Sequence, residues 1–476
     1  MNTSRLQKIA PHIFQVEPEG RMRVPALFFA DKDLLEGMDD KVLDQLTNVA
    51  SLPGISVPAM AMPDAHWGYG FPIGGVGAFD PELDGVISAG GVGFDIACGV
   101  RTIVTGIHKQ EILNNQKTLA DRLFQSIPAG LGSTGSIKIA GKEMDRMLSR
   151  GAEWAIKKGF GRKKDLERME DRGTAPGARP EFVSDKARKR QENEMGTLGS
   201  GNHYLEVQSI DEIFDRQKAD LFGLKKDDVV ISIHCGSRGL GHQVATDYMR
   251  TMVAEAARNK IHLPDRDLAW ARINSRVGQE YLGAMRAAMN CAMANRQIIT
   301  HLVRETITPI FPDACLDLLY DVSHNTCREE YHTVDNKKTR LFVHRKGATR
   351  ALGPGNPELP LDFMEAGQPV LIGGSMGTSS FILVGTARGM ELSLGSACHG
   401  AGRSMSRKQA EKRFRRAGII DQLMAQGIEI RGHSFRGLAE EAPQAYKDVN
   451  RVVQVTHDAG LAAQVARLSP LICIKG

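Results

Sequence analysis

The sequence predicts an α+β fold: a single large mixed domain, residues 1–476, of short strands, glycine-rich loops and helices, which is neither a Rossmann sheet nor a TIM barrel. Three observations predict it. The 50 glycines among 476 residues are roughly one and a half times the usual share of about 7%. They gather in short motifs without a period, which excludes collagen-like and low-complexity chains. Strand-like and helix-like runs alternate irregularly, and no Gly/Ser or Pro-rich linker divides the chain.

Along the chain, residues 31–49 read as a packing helix, with Leu34, Leu35, Met38, Val42, Leu43 and Leu46 at helical spacing. From residue 59 to 107 the texture changes to short β-rich runs such as Val100–Val104, separated by glycine turns. Residues 155–195 are highly charged around the turn-like Gly173-Thr174-Ala175-Pro176-Gly177, and predict an exposed, mobile insertion with helical pieces. Asp228–Ile233 reads as a buried strand delivering His234 at its carboxyl end, and Gly236–Gly241 as the loop that follows. A long helix is expected over Asp267–Glu305, with Tyr281, Met285, Met289 and Met293 four apart on a core face. Strands and glycine loops resume over 317–402, and a basic helix is expected over Ser406–Ala417.

Composition narrows the function classes. With 42% hydrophobic and 25% charged residues, and nothing near the roughly 18 consecutive apolar residues of a membrane span, the chain reads as globular and not membrane-inserted. Residues 1–20 lack the pattern of a secretory signal, so the expected compartment is cytoplasmic. Seven cysteines, an odd number, argue for reduced thiols, so a special Cys is a ligand or a nucleophile. The net charge of +5 is concentrated at Lys157-Lys158, Arg162–Lys164, Lys186–Arg190 and Arg403–Arg416. Such patches suit a polyanion such as RNA; the alternative is a solvated face, since Asp165, Glu167, Glu170 and Asp171 are interleaved.

The chemistry-bearing residues follow glycines and strand ends. Asp95 and Cys98 lie three apart among Gly90, Gly91, Gly93 and Gly99; His203, His234 and His324 each end a strand or turn beside a polar neighbour. A lone histidine in such a place is usually a hydrogen-bonded structural residue, but several in one chain favour a metal site. One thiolate, one carboxylate and three imidazoles would leave positions open for phosphate oxygens in metal-assisted phosphoryl transfer. Ligand softness alone suggests zinc, while the carboxylate and open positions keep manganese in play. His399 lies among the small residues of Gly395–Gly402 with Arg403 four positions on. It reads either as a nucleophile forming a phosphoramidate or as a capping side chain in a tight turn; Cys398 has no visible general base. Gly373–Ser380 has the glycine and hydroxyl content of a phosphate loop without the lysine of a Walker motif.

Seven ordered motifs carry a resemblance that runs nearly end to end: Pro63–Gly70, Asp95/Cys98, Gly201–Glu206, Ser232–Gly239, Ser323–Asn325, Cys398–Arg403 and Ile474–Gly476. In these the chain resembles the RtcB-type RNA ligases, the tRNA-splicing and RNA-repair ligases. The resemblance implies a GTP-dependent, manganese-dependent enzyme that joins an RNA 3′-phosphate or 2′,3′-cyclic phosphate to a 5′-hydroxyl. It implies two Mn²⁺, one held by Asp95, Cys98 and His203, the other by Cys98, His234 and His324, with Cys98 bridging. It implies His399 as the catalytic nucleophile that takes the guanylate. It implies a guanylate pocket drawn from Asn202, His203, Tyr204, Leu205, Glu206, His324, Asn325, Gly373, Gly374, Ser375, Met376, Ser380, His399, Gly400, Ala401, Gly402, Arg403, Tyr446 and Lys475. Arg238 and Lys346 become RNA contacts, RNA ends or tRNA halves the partners, an archease-type protein a candidate activator, and a monomer the expected state. Two rivals stand beside this reading: a binuclear metallohydrolase of phosphate esters using the same ligands, and a non-catalytic RNA-binding protein.

Overall fold

Two large sheets meet at His324, because the strand Asp317–Ser323 belongs to one and Asn325–Val334 to the other. The computed structural model describes residues 1, 3–130, 132–414, 416–432 and 435–476. In the first sheet the order is Asp317–Ser323, Gly99–His108, Asp228–Cys235, Tyr204–Ile213, Ala462–Lys475, Ser380–Gly385 and Pro369–Ile372, each antiparallel to the next. Glu429–Gly432 adds in parallel along Ala462–Lys475.

Register explains why the candidate residues converge. Ser323 lies opposite Gly99, Gly99 opposite Cys235, His234 opposite Tyr204, and Tyr204 opposite Lys475. Antiparallel neighbours alternate direction, so five strands present either a starting or a finishing end at one rim. Segments more than a hundred residues apart in sequence therefore place their flanking loops side by side.

The second sheet runs Gln7–Ala10, Ile13–Val16, Ala26–Phe29, Ala59–His66, Ile73–Phe79, Lys337–Lys346, Asn325–Val334. Its strand Ala59–His66 carries Asp64, and the small pair Ala348–Arg350 with Ser396–Cys398 places His399 at the junction of the sheets.

The expected long helix is present over Arg276–Ile307, and the stripe of Tyr281, Met285, Met289 and Met293 is buried core. It starts nine residues later than predicted. Ser275 accepts from the Gly278 N–H as its cap, and Trp270–Arg272 is drawn into pairing with Val86–Ser88. The middle of the helix is enclosed, burying Asn290, Asn295, Arg296, Gln297 and Thr300 as well, and Arg304 is buried in its last turn. Arg296 forks onto Asp321 at 2.7 and 3.0 Å and also donates to the carbonyls of Ala97 (2.8 Å) and Cys235 (2.9 Å). One side chain thus ties together the loops of Cys98 and His234 and the strand leading to His324. Arg296→Met is expected to destabilise the protein by about 3–5 kcal/mol, read by denaturant unfolding, because it leaves carbonyls and part of the Asp321 charge buried without partners.

Four sequence expectations are corrected. The helix over 31–49 is two helices, Lys32–Glu36 and Asp40–Ala50, because Asp39 adopts an extended conformation and caps the second through the Lys41 N–H. The loop Gly236–Gly241 ends at Ser237; helix Arg238–Arg258 then begins, and a Cβ at Gly241 would collide with the Ser237 hydroxyl, so this glycine serves close packing. The basic helix over 406–417 is Arg407–Arg413, capped by Ser406 with Gln409, and a second helix spans Arg416–Ala425; Arg415 lies outside the described residues.

Residues 155–195 contain helical pieces, as expected, and most of their basic side chains are exposed, but some of their acids and apolar residues are built into the core. Asp165 is buried under both Arg304 nitrogens, at 2.6 and 2.7 Å. Glu170 accepts from the Ser323 N–H at 2.8 Å and from Arg350 at 2.9 Å, so an acid of this segment seats the residue next to His324. Among the described residues, no helix is long and apolar enough to cross a membrane.

Candidate functional site

The five predicted ligands come together in two overlapping clusters, Asp95/Cys98/His203 and Cys98/His234/His324; within each, one potential ligand atom per residue lies within 4.8 Å of the others. Cys98 Sγ is 3.3 Å from His203 Nε2 and 3.2 Å from His234 Nε2, so it belongs to both. Asp95 Oδ2 lies 2.7 Å from His203 Nε2, and the Nε2 atoms of His234 and His324 are 3.2 Å apart.

Local backbone sets these positions. Ala97 takes a positive φ of 53°, uncommon for a residue with a Cβ, held by Ala97 N–H donating to the Asn325 carbonyl at 2.8 Å. The His324 N–H returns a bond to the Cys98 carbonyl at 2.8 Å. Asn325 spans the gap, donating to the Asp95 carbonyl (3.0 Å) and accepting from the Gly347 N–H (2.8 Å). Gly236 allows Asp95 to approach, since a Cβ there would overlap its carboxylate.

The donor set fits a pair of cations. His203 Nδ1 must donate to the Leu198 carbonyl at 2.9 Å, so in the neutral ring Nε2 carries the lone pair that faces Asp95 and Cys98. Burial and the facing imidazoles lower His234 and His324 well below the ordinary histidine range, so both rings are neutral. Burial and then Asp95 raise the Cys98 thiol, while Asp95, despite burial, is held below the usual carboxylate range by His203. Lone pairs of three imidazoles and a carboxylate converging on one sulfur repel without a proton or a cation between them, and a cation would draw the thiol to thiolate.

His399 stands beside this cluster, its ring centroid 4.9 Å from that of His324. Its Nδ1 lies 2.6 Å from Asp64 Oδ2, which also accepts from the His399 N–H at 2.9 Å and the Gly400 N–H at 3.3 Å. Burial opposes ionisation of Asp64, yet His399 holds its carboxyl below the ordinary range, so an anion fixes the ring with Nδ1 as donor. That leaves Nε2 as the ring nitrogen with a free lone pair. Asp64 was not assigned a role from sequence; the clue is a carboxylate inside the apolar strand AMAMPDAH.

The predicted nucleotide-loop residues converge on the same side. Gly373 and Gly400 form a bridge, Ala401 N–H donates to the Gly373 carbonyl at 3.1 Å, and a Cβ at Gly373 would strike the Tyr204 hydroxyl. The 373–380 turn closes with Ser375 N–H donating to Thr378 Oγ1 (2.8 Å) and Gly374 N–H to Ser380 Oγ (3.1 Å). Met376 is instead core, packed among Ile419, Leu423 and Ile428. Glu206 accepts from Gln208 at 2.7 Å, and burial pushes its carboxyl up to about 7 against the pull of Lys475, Cys473 and Gln208. Arg403 and Lys475 both face the buried Glu441, which also takes the Tyr446 hydroxyl. Glu441 is a second residue that sequence reading missed. Leu205 is fully buried in the sheet core, while Asn202 sits half-buried in the turn before His203.

The two predicted RNA contacts differ. Arg238, half-buried, donates to Thr197 Oγ1 at 3.0 Å and lies along the Asp95/His203 side of the site. Lys346 is buried; its ammonium donates to the carbonyls of Tyr69 (2.6 Å) and Phe71 (3.0 Å), and burial lowers it to about 7.

Residues 45–476 match the family model described as tRNA-splicing ligase RtcB. The chain is 49% identical over 459 residues to the tRNA-splicing ligase RtcB of Archaeoglobus fulgidus, covering 96% of this chain and 95% of that one. It is 46% identical over 479 residues to that of Methanococcus maripaludis, covering 99% and 100%. It is 48% identical over 437 residues to the RNA-splicing ligase RtcB of Mycobacterium tuberculosis, covering 91% and 100%.

Proposed function

The chain belongs to the RtcB family of tRNA-splicing ligases, and from that premise we propose that it is a GTP-dependent RNA ligase joining a 3′-phosphate or 2′,3′-cyclic phosphate end to a 5′-hydroxyl end. The single observation that carries the reading is the Asp64-oriented ring of His399 set against two overlapping groups of potential metal ligands that share Cys98. A metallohydrolase could use such a pair as a general acid, so what separates the two readings is a covalent guanylate on the ring.

Asp95, Cys98 and His203 would hold one Mn²⁺, and Cys98, His234 and His324 the other. When bound, the cations supply Lewis acidity that offsets phosphate charge. His399 Nε2 attacks the α-phosphorus of GTP; the N–P bond forms as the bond to pyrophosphate breaks, and Asp64 stabilises the resulting ring charge. A 2′,3′-cyclic phosphate end is first opened by water, which breaks the P–O2′ bond to leave a 3′-phosphate and a 2′-hydroxyl; the guanylate then passes from His399 to an oxygen of that 3′-phosphate, which gives the phosphate a leaving group. The 5′-hydroxyl then attacks it, releasing GMP and a proton as the phosphodiester forms. Arg238 lies where an incoming phosphate would pass, whereas Lys346 orders the 67–72 turn from within.

Glu206 is assigned to the guanine edge, where a carboxylate accepts from N–H donors. With its carboxyl raised to about 7, GTP affinity is expected to rise with pH up to about 7 and level off above, by up to about tenfold per pH unit on the acid side. Glu206→Gln should bind GTP more weakly and show no such slope in equilibrium binding. The reading as a whole is tested by incubating RNA halves ending in a 2′,3′-cyclic phosphate and a 5′-hydroxyl with GTP and manganese. A joined product that requires GTP supports it; hydrolysis of the phosphate ends without joining would support the hydrolase instead.

A further inference from the structure

We propose that Trp67 and Tyr69, continued by Phe94 and His242, form a stacking platform for unpaired bases of the RNA strand that enters the site. The inference rests on the ligase reading and adds where the strand is held. Trp67 and Tyr69 are 47% and 62% exposed, among the largest apolar rings on the surface. They sit three and five residues beyond Asp64, in the turn between strands Ala59–His66 and Ile73–Phe79.

That turn is held from beneath by buried polar groups. Lys346 donates to the Tyr69 and Phe71 carbonyls, and Gln45 brackets Gly68, donating to its carbonyl at 2.6 Å and accepting from its N–H at 3.2 Å. Burying an ammonium and a carboxamide is costly, and a flexible surface loop requires neither. Here they fix the main chain while its rings point outward, an arrangement that lowers the ordering cost of binding a ligand on those rings.

From Tyr69 the rings lead toward the candidate metal ligands. Tyr69 meets Phe94 edge-on at 6.0 Å, Phe94 stacks on exposed His242 at 5.1 Å and 26°, and Phe94 directly precedes Asp95. Cations flank the path: Lys41 Nζ lies 3.8 Å from the Trp67 ring centroid, and exposed Arg190 bonds Gln243 beside His242. Rings interleaved with cations match single-stranded RNA, whose bases stack and whose phosphates pair with the cations; a protein-docking surface would call for a contiguous apolar patch.

The test compares Trp67→Ala and Tyr69→Ala with Trp67→Phe and Tyr69→Phe in GTP- and manganese-dependent joining of short RNA ends. Guanylylation by GTP without RNA is measured in parallel. Each alanine variant is expected to raise KM for RNA, and weaken binding of a single-stranded oligonucleotide, by about tenfold. Phenylalanine should restore most of it, and RNA-independent guanylylation should be unchanged. Wild-type protein that neither guanylylates nor joins would sink the ligase reading itself. Wild-type joining with alanine variants of unchanged KM would overturn only the platform and assign the rings to a protein partner. Loss of guanylylation in the alanine variants would also overturn it, since the rings would then act on the site and not on RNA.

Discussion

Cys98→Ala is expected to lose both cations and reduce ligation to background, because Cys98 is the one residue shared by the two clusters. Manganese content measured on the dialysed protein should fall from two per chain towards zero, whereas Asp95→Ala, which touches one cluster, should leave the His234/His324 site partly filled. The fold should survive: removing one small buried sulfur costs about 1 kcal/mol, well below the loss of a packed aliphatic side chain. Two cations retained at wild-type affinity in Cys98→Ala would show that the thiol is a bystander.

His399→Ala is expected to behave in the opposite way, with metal content kept and joining lowered by at least about a thousandfold. The ring is not a member of either cluster, but its Nδ1 is committed to Asp64 and its other nitrogen is free for attack. Removing it leaves Asp64 buried opposite an empty space, so some loss of stability accompanies the loss of activity. Asp64→Asn separates the two effects: the ring remains, its orientation and charge compensation weaken, and guanylylation should slow without loss of manganese.

The candidate ligands are legible because each sits where a strand meets a glycine or a polar turn, a local pattern that sequence displays. Asp95, Cys98, His203, His234 and His324 occupy the rim that antiparallel register assembles. The methionine stripe of the long helix was legible for the same reason, since one face of a helix repeats at a fixed spacing. What stayed hidden depends on pairs far apart in the chain. Asp64 acquires its role from a histidine 335 residues away, and Glu170 from Ser323, 153 residues away. Arg296 and Arg304 look like the solvent face of an amphipathic helix, yet both are buried, since that side of the helix is covered as well. The charged segment 155–195 misleads in part in the same manner: Asp165 and Glu170 pair with buried arginines from elsewhere in the chain, while Arg162, Arg168 and Arg188 pair with acids at the surface, and charge density along a sequence does not distinguish a buried pair from a solvated one. Lys346 reads as an RNA contact from the sequence, and its ammonium donates to two buried carbonyls, a pairing that no local pattern displays.

The assignment of the guanylate to His399, and of the cations beside it to Asp95, Cys98, His203, His234 and His324, predicts where a covalent label will be found. Its most direct test is peptide mapping by tandem mass spectrometry of the protein after incubation with GTP and manganese. A single acid-labile guanylate on the peptide containing His399, absent when manganese is withheld and absent in Cys98→Ala, is the predicted result. A guanylate on any other residue, or none while RNA joining proceeds, would contradict it.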